Sequence, residues 1–245
     1  LSVDESAIYG SDLYLYNRME PSIWGVNEEF ISAPHLDDLQ CAYSALQGFL
    51  QGHNSKNINV MVCYDNEEVG SGTKQGAGST FLHDVLHRIN TALGKPEEAY
   101  YRALANSFML SADNAHAVHP NHPEKTDATN CVYMNEGIVV KSHAGQKYTS
   151  DAVSIAIFRK ICEEAGVPVQ FFSNRSDMAG GSTLGNISST KVAMNAVDIG
   201  LPQLAMHSSY ETAGVKDTFY MVKAMEMFYR TTLSEVSEGT WNIDV

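Results

Sequence analysis

Short apolar runs rich in Val, Ile, Phe and Tyr alternate along this chain with longer segments of helical period, and that alternation restricts the fold more than any other feature. INVMVCY (58–64), FMLSAD (108–113), GIVVKSH (137–143), VPVQFFS (167–173), AVDIG (196–200) and LPQLAMH (201–207) read as strands. Between and around them, DDLQCAYSALQGFLQG (37–52), STFLHDVLHRINTAL (79–93), PEEAYYRALANSF (96–108), TSDAVSIAIFRKICEEAG (149–166) and VKDTFYMVKAMEMFYRTTL (215–233) carry apolar residues at helical spacing. Gly52 and Gly166 mark helix ends. Strands separated by helices predict an α/β fold, a largely parallel mixed sheet flanked by helices. In such sheets ligands collect outside the carboxyl ends of the strands.

The 245 residues, 44% hydrophobic and 18% charged, are enough for a real core. No internal repeat or linker-like stretch divides them, so residues 1–245 read as one domain. A net charge of −13 without a basic cluster argues against nucleic acid and anionic membranes as partners. The apolar runs are strand-sized, so no transmembrane span is expected. The start, LSVDESAIYGSDLYLY, has no signal-peptide pattern and no initiator Met, which reads as a fragment. Cys41, Cys63, Cys131 and Cys162 form no CxxC pair and read as reduced, which predicts a cytoplasmic location.

Acidic groups recur at the strand ends. INVMVCY runs into Asp65-Asn66-Glu67-Glu68, FMLSAD ends in Asp113, LPQLAMH ends in His207, and Asp37-Asp38 opens the first helix. Gathered in one cleft, such carboxylates repel one another unless a cation is present, and a mixed carboxylate and imidazole set suits Zn²⁺, Mn²⁺ or Co²⁺. Polar strand ends without a metal would place acids here as well, and spacing alone does not separate the two.

Longer motifs do. APHLDD (33–38), DNEEVGS (65–71), SADNAHAVHPN (111–121), VVKSHAGQKY (139–148), RSDMAGGSTLG (175–185) and VDIGLPQLAMHS (197–208) resemble, in order, the carboxyl-terminal half of the aspartyl aminopeptidases, which are dinuclear zinc exopeptidases. The resemblance implies a zinc-exopeptidase-like (phosphorylase/hydrolase-like) catalytic domain and two divalent ions, zinc first with Mn or Co as alternatives. It implies Asp37 as the carboxylate bridging both metals, Glu67 as general base, Glu68 and His207 as ligands of one metal and Asp113 as ligand of the other. His116 falls near the scissile carbonyl, and Lys141 and Tyr148 in the substrate pocket. The implied activity is removal of amino-terminal residues, preferably Asp or Glu, from peptides, with Lys141 pairing the acidic side chain. The resemblance also implies a homo-oligomer in the full-length parent. A related dinuclear aminopeptidase of other side-chain preference and a catalytically silent scaffold member are the alternatives.

The chain departs from the family in places. The family's upstream His-x-Asp histidine lies before an inserted oligomerisation domain, so the resemblance implies an incomplete catalytic domain without its first strands, in which residues 1–30 read as the return from the insertion. His35 stands where the family usually has Arg, and reads as structural. Asp38 stands where Asn is commoner. His119, His122 and the His83/His87 pair read as structural or solvated, the latter because HDVLH lacks the Glu of a HExxH helix. The glycines of GSGTKQGAGST fit no phosphate loop and instead let the backbone turn near the metals. GGSTLG reads equally as an active-site loop or a helix start.

Overall fold

The computed structural model describes residues 2–245. Its main sheet holds β3 (Phe108–Ala112), β5 (Ile138–Ser142), β6 (Val169–Ser173) and β7 (Asn195–Gly200) in the order β3-β7-β5-β6. β3 runs parallel to β7 and β5 parallel to β6, while β5 and β7 are antiparallel, so the sheet is mixed. A second sheet, β1-β2-β9-β8-β4, is built from β1 (Ser22–Trp24), β2 (Phe30–Ala33), β4 (Ala115–His116), β8 (Pro202–Leu204) and β9 (Glu211–Gly214). Apart from β8, which falls within LPQLAMH, its strands are too short and too mixed in polarity to register in the sequence. A hairpin of β10 (Thr232–Ser237) and β11 (Thr240–Asp244) follows the last helix.

The helices are α1 (Leu36–Gln51), α2 (Phe81–Ala92), α3 (Glu97–Ala105), α4 (Ala152–Ala165), α5 (Leu184–Ser189) and α6 (Val215–Arg230). α4 begins at a capping box, in which Asp151 accepts the Ser154 N–H and the Ser154 hydroxyl accepts the Asp151 N–H. It ends at Gly166 with φ 65°, a left-handed value that glycine takes without a steric penalty. α1 and α6 pack so closely that a methyl group on Gly48 would collide with Met225. No described helix is long and apolar enough to cross a membrane.

The strand period decides what the main sheet does on each face. Ile138 and Val140 of β5 point into the main core with Val197 and Ile199 of β7, Phe158 and Cys162 of α4, and Met221 and Met225 of α6. Val139 and Lys141 point the other way, Val139 packing with Ala115, Val132 and Phe172. This second face carries the site. Cys41 and Cys162 are buried as free thiols, whereas Cys63 is exposed and Cys131 partly so. On α6, Met221 and Met225 are core residues, whereas Phe219 is 58% exposed.

One expected strand does not form. INVMVCY joins no ladder among the described residues; side chains hold it instead. Asn57 and Asn59 donate to the carbonyls of Thr231 and Tyr229, and the Tyr229 hydroxyl donates to the carbonyl of Val60. A β-branched run has strand propensity, but a strand needs a neighbour to take up its N–H and C=O groups. Ile58 is left 65% exposed. The strand ending LPQLAMH is also shorter than expected, stopping at Leu204, so His207 falls in the β8–β9 turn with φ 67°.

Candidate metal centre

A cavity of about 540 Å³ opens on the second face of the main sheet. Asp37, Glu67, Glu68, Asp113, His116, Lys141, Tyr148 and His207 all line it, although they come from separate segments of the chain. His35, at the head of α1 with φ 59°, is exposed and outside the lining. His119 reaches the cavity wall, but its Nδ1 accepts the Asn121 N–H, and His122 pairs with Glu124. His83 and His87 stack on each other, meet Tyr100 edge-on, and pair with Asp84 and Glu97, half-exposed on α2.

Local structure explains the convergence. Asp37 and Asp38 follow β2 and depart from helical geometry at the start of α1, with Asp37 at φ −83° and ψ 116°. Asp113 follows the last residue of β3. Glu67 and Glu68 occupy a tight loop in which Ser71 N–H donates to the Asn66 carbonyl and Gly70 N–H to that of Glu67. Asn66 and Ser71 take φ of 60° and 59°, and Gly76 packs against the Ser71 backbone where a Cβ would not fit. The glycines therefore close this acidic loop, as the sequence predicts.

The geometry divides into two groups. His207 Nε2 lies 3.3 Å from Asp37 Oδ2 and 3.2 Å from Glu68 Oε2. That spacing is close to the edge, about 3.3 Å, of a tetrahedron whose corners are zinc ligands at about 2.0–2.1 Å. Asp37, Asp38 and Asp113 form the second group, each offering an oxygen within 4.8 Å of the others. The Asp113 carboxylate accepts from Lys141 Nζ at 3.0 Å and from the Thr183 hydroxyl at 2.8 Å.

Electrostatics favour a cation. Burial, with Asp113 and Glu68 alongside, pushes Asp37 up to about 8, and burial with the same kind of repulsion pushes Glu67 up to about 7. Asp38 rises well above the ordinary carboxylate range, chiefly through burial and then through Asp113. Asp113 is the exception: burial would raise it, but the Lys141 ammonium outweighs that and holds it low. Burial lowers the proton affinity of His116, and the neighbouring Lys141 and His207 lower it further. Asp37 Oδ1 and Asp38 Oδ1 are buried without any hydrogen-bond partner. Unpaired buried carboxylate oxygens beside an imidazole are a donor set that fits a divalent ion.

The family model for Aminopeptidase I zinc metalloproteases (M18) matches residues 1–229. The chain belongs to the M18 family. A probable M18 family aminopeptidase 2 of Clostridium novyi is 51% identical over 229 residues, covering 94% of this chain and 53% of that protein. A chain in the cryo-EM structure of the Ape4 and Nbr1 complex superposes with a TM-score of 0.82 at 35% identity, over 88% of this chain and 42% of its own. The S. cerevisiae mApe1 dodecamer gives a TM-score of 0.76 at 29% identity, over 88% of this chain and 49% of its own. The chain thus spans about half the length of the M18 relatives it matches. Two residues stand beside the eight expected ones: Thr183, from the ambiguous GGSTLG motif, donates to Asp113, and Asp38, whose Oδ1 is buried, belongs to the second group. GGSTLG proves to be both a site loop and the start of α5.

Proposed function

We propose that the full-length protein is a metallo-aminopeptidase that removes amino-terminal residues, preferably Asp or Glu, from peptides. The observation that carries this is the ring of Asp37, Glu68 and His207 with Glu67 beside it in one cavity. Asp37, Glu68 and His207 would hold one divalent ion, and Asp37 with Asp113 a second, zinc being the family's metal and Mn or Co the alternatives. When bound, the ions acidify the attacking water and polarise the scissile carbonyl.

The protein's own groups do the rest. Glu67, whose carboxylate already has raised proton affinity, takes the proton of the water as it adds to the carbonyl carbon and returns it to the leaving amine. His116, at the β4 edge of the cavity and with its proton affinity lowered by burial, donates a ring N–H to the carbonyl oxygen. Tyr148, with Lys141 Nζ 5.7 Å from its ring, walls the side-chain pocket. Free buried thiols at Cys41 and Cys162 support a cytoplasmic location, which cell fractionation tests. The dodecamer among the relatives supports a homo-oligomer, testable by light scattering on the full-length protein.

One observation favours a different side-chain preference. Lys141 is 3% exposed and its ammonium already donates to Asp113, so an acidic substrate would have to share it with that carboxylate. The test is zinc content together with hydrolysis of aspartyl, glutamyl and leucyl chromogenic substrates, by the parent and by Lys141→Ala. A selective loss on acidic substrates supports the acidic preference, and an equal loss on leucyl substrates removes it. A parent that binds no zinc and cleaves nothing would leave a scaffold.

A further inference from the structure

We infer that Glu211 is a positioning residue that fixes the spacing of the Asp37 and His207 side chains; the inference rests on reading those two as ligands of one ion. Glu211 opens β9 opposite Ala33 of β2 and is 2% exposed. Its two carboxylate oxygens serve two different segments. Oε2 accepts the backbone N–H of Asp37 at 2.9 Å, and Oε1 accepts the backbone N–H of His207 at 2.8 Å.

Neither segment is fixed by regular structure at that point. Asp37 lies where β2 gives way to α1 with non-helical angles, and His207 lies in the β8–β9 turn with φ 67°. No ladder hydrogen bond reaches either N–H, so one carboxylate replaces the ladder for both. Charge-assisted bonds from two backbone donors to one buried carboxylate are short and directional, and they tie the two Cα positions to a single rigid group. The side chains that project from those positions are the ones whose Nε2 and Oδ2 lie 3.3 Å apart.

Placing another negative charge beside Asp37, Glu68 and Asp113 does nothing to ease their repulsion. A neutral residue filling the same space would ease it, but a neutral residue cannot accept from both N–H groups. An amide has one acceptor oxygen, and its nitrogen would face the second N–H donor to donor. Aspartate keeps the charge but is one methylene too short to span both segments. Arrangements that orient ligands from behind in this way are typically worth about 10–100-fold in metal affinity.

The test uses the full-length protein and its Glu211→Gln and Glu211→Asp variants, stripped of metal. Zn²⁺ is titrated in competition with a chromogenic chelator, the absorption spectrum of the Co²⁺-loaded proteins is recorded, and the thermal midpoint is measured without metal. We expect both variants to bind zinc about 10–100-fold more weakly and to show displaced Co²⁺ bands. All titrations are run below the melting point of the weakest variant, so that affinity reports the folded state. Zinc affinity and Co²⁺ spectra equal to the parent's, whether or not the midpoint falls, would overturn the positioning role and leave a structural one. A parent that takes up no zinc would overturn the ligand reading itself, which is a separate and recognisable result.

Discussion

Removing the metal should invert the usual effect of pH on stability. Burial and repulsion raise Asp37 to about 8 and Glu67 to about 7 in the folded, metal-free protein, far above the ordinary values of 3.8 and 4.5. Below about pH 4 both groups are protonated whether the chain is folded or not. Between that point and the folded values, only the folded state holds the protons, so each rise in pH favours unfolding; above about 8 the full penalty is present. From pH 6 to 8.5, Asp37 crosses roughly two decades of proton affinity and Glu67 roughly one, or about 4 kcal/mol unscreened. Glu67 is only half-buried and the cavity is open to solvent, which leaves about 2–3 kcal/mol. At about 2–4 °C per kcal/mol for a chain of this size, the thermal midpoint in chelator should fall by about 5–10 °C between pH 6 and 8.5. Calorimetry across that range is the assay. The net charge of −13 pushes in the same direction, so Asp37→Asn is the control and should lose most of the slope. A midpoint that is flat or rising over this range, or an Asp37→Asn protein with the parent's slope, would refute the reasoning. Saturating zinc should abolish the fall, because a cation favours the ionised carboxylates.

Other perturbations separate catalysis, electrostatics and packing. Glu67→Gln should lower kcat by about 10²–10⁴-fold while zinc content measured by elemental analysis stays at the parent level. Lys141→Met leaves Asp113 buried with only the Thr183 hydroxyl, so the metal-free protein should lose about 3–5 kcal/mol and the zinc-loaded protein less, read by denaturant unfolding with and without zinc. Gly200→Ala drives a methyl group into the Asp113 carbonyl, and should cost about 1–3 kcal/mol and weaken zinc binding, checked by unfolding and by titration. Phe158→Ala opens the main core far from the cavity, and should cost about 3–5 kcal/mol without altering the affinity of the remaining folded protein for zinc.

Elements that carry their own signal were readable before any coordinates. The helices over 152–165 and 215–230 combine a complete turn pattern with start signals or a long apolar face, and both form close to the expected bounds. The eight expected site residues stand in the long motifs that carry the family resemblance, and all eight line one cavity. The failures share a different cause. INVMVCY has a strand's composition but no partner, and the short strands at 22–24, 30–33 and 115–116 have partners but almost no composition signal. Pairing belongs to two segments at once, so neither segment states it alone.

The sequence by itself therefore determined the α/β class, the helices, the main-sheet strands and the identity of the acids and histidine that meet. Periodicity, turn residues and motif spacing are local quantities, and a single stretch of chain suffices to express them. Only the tertiary structure decided that Lys141 answers Asp113, that Asp38 is enclosed beside Asp37, and that Glu211 grips the backbones of Asp37 and His207. Those contacts join residues up to 174 positions apart, and their strength comes from burial, which exists only once the sheets and helices have closed around them.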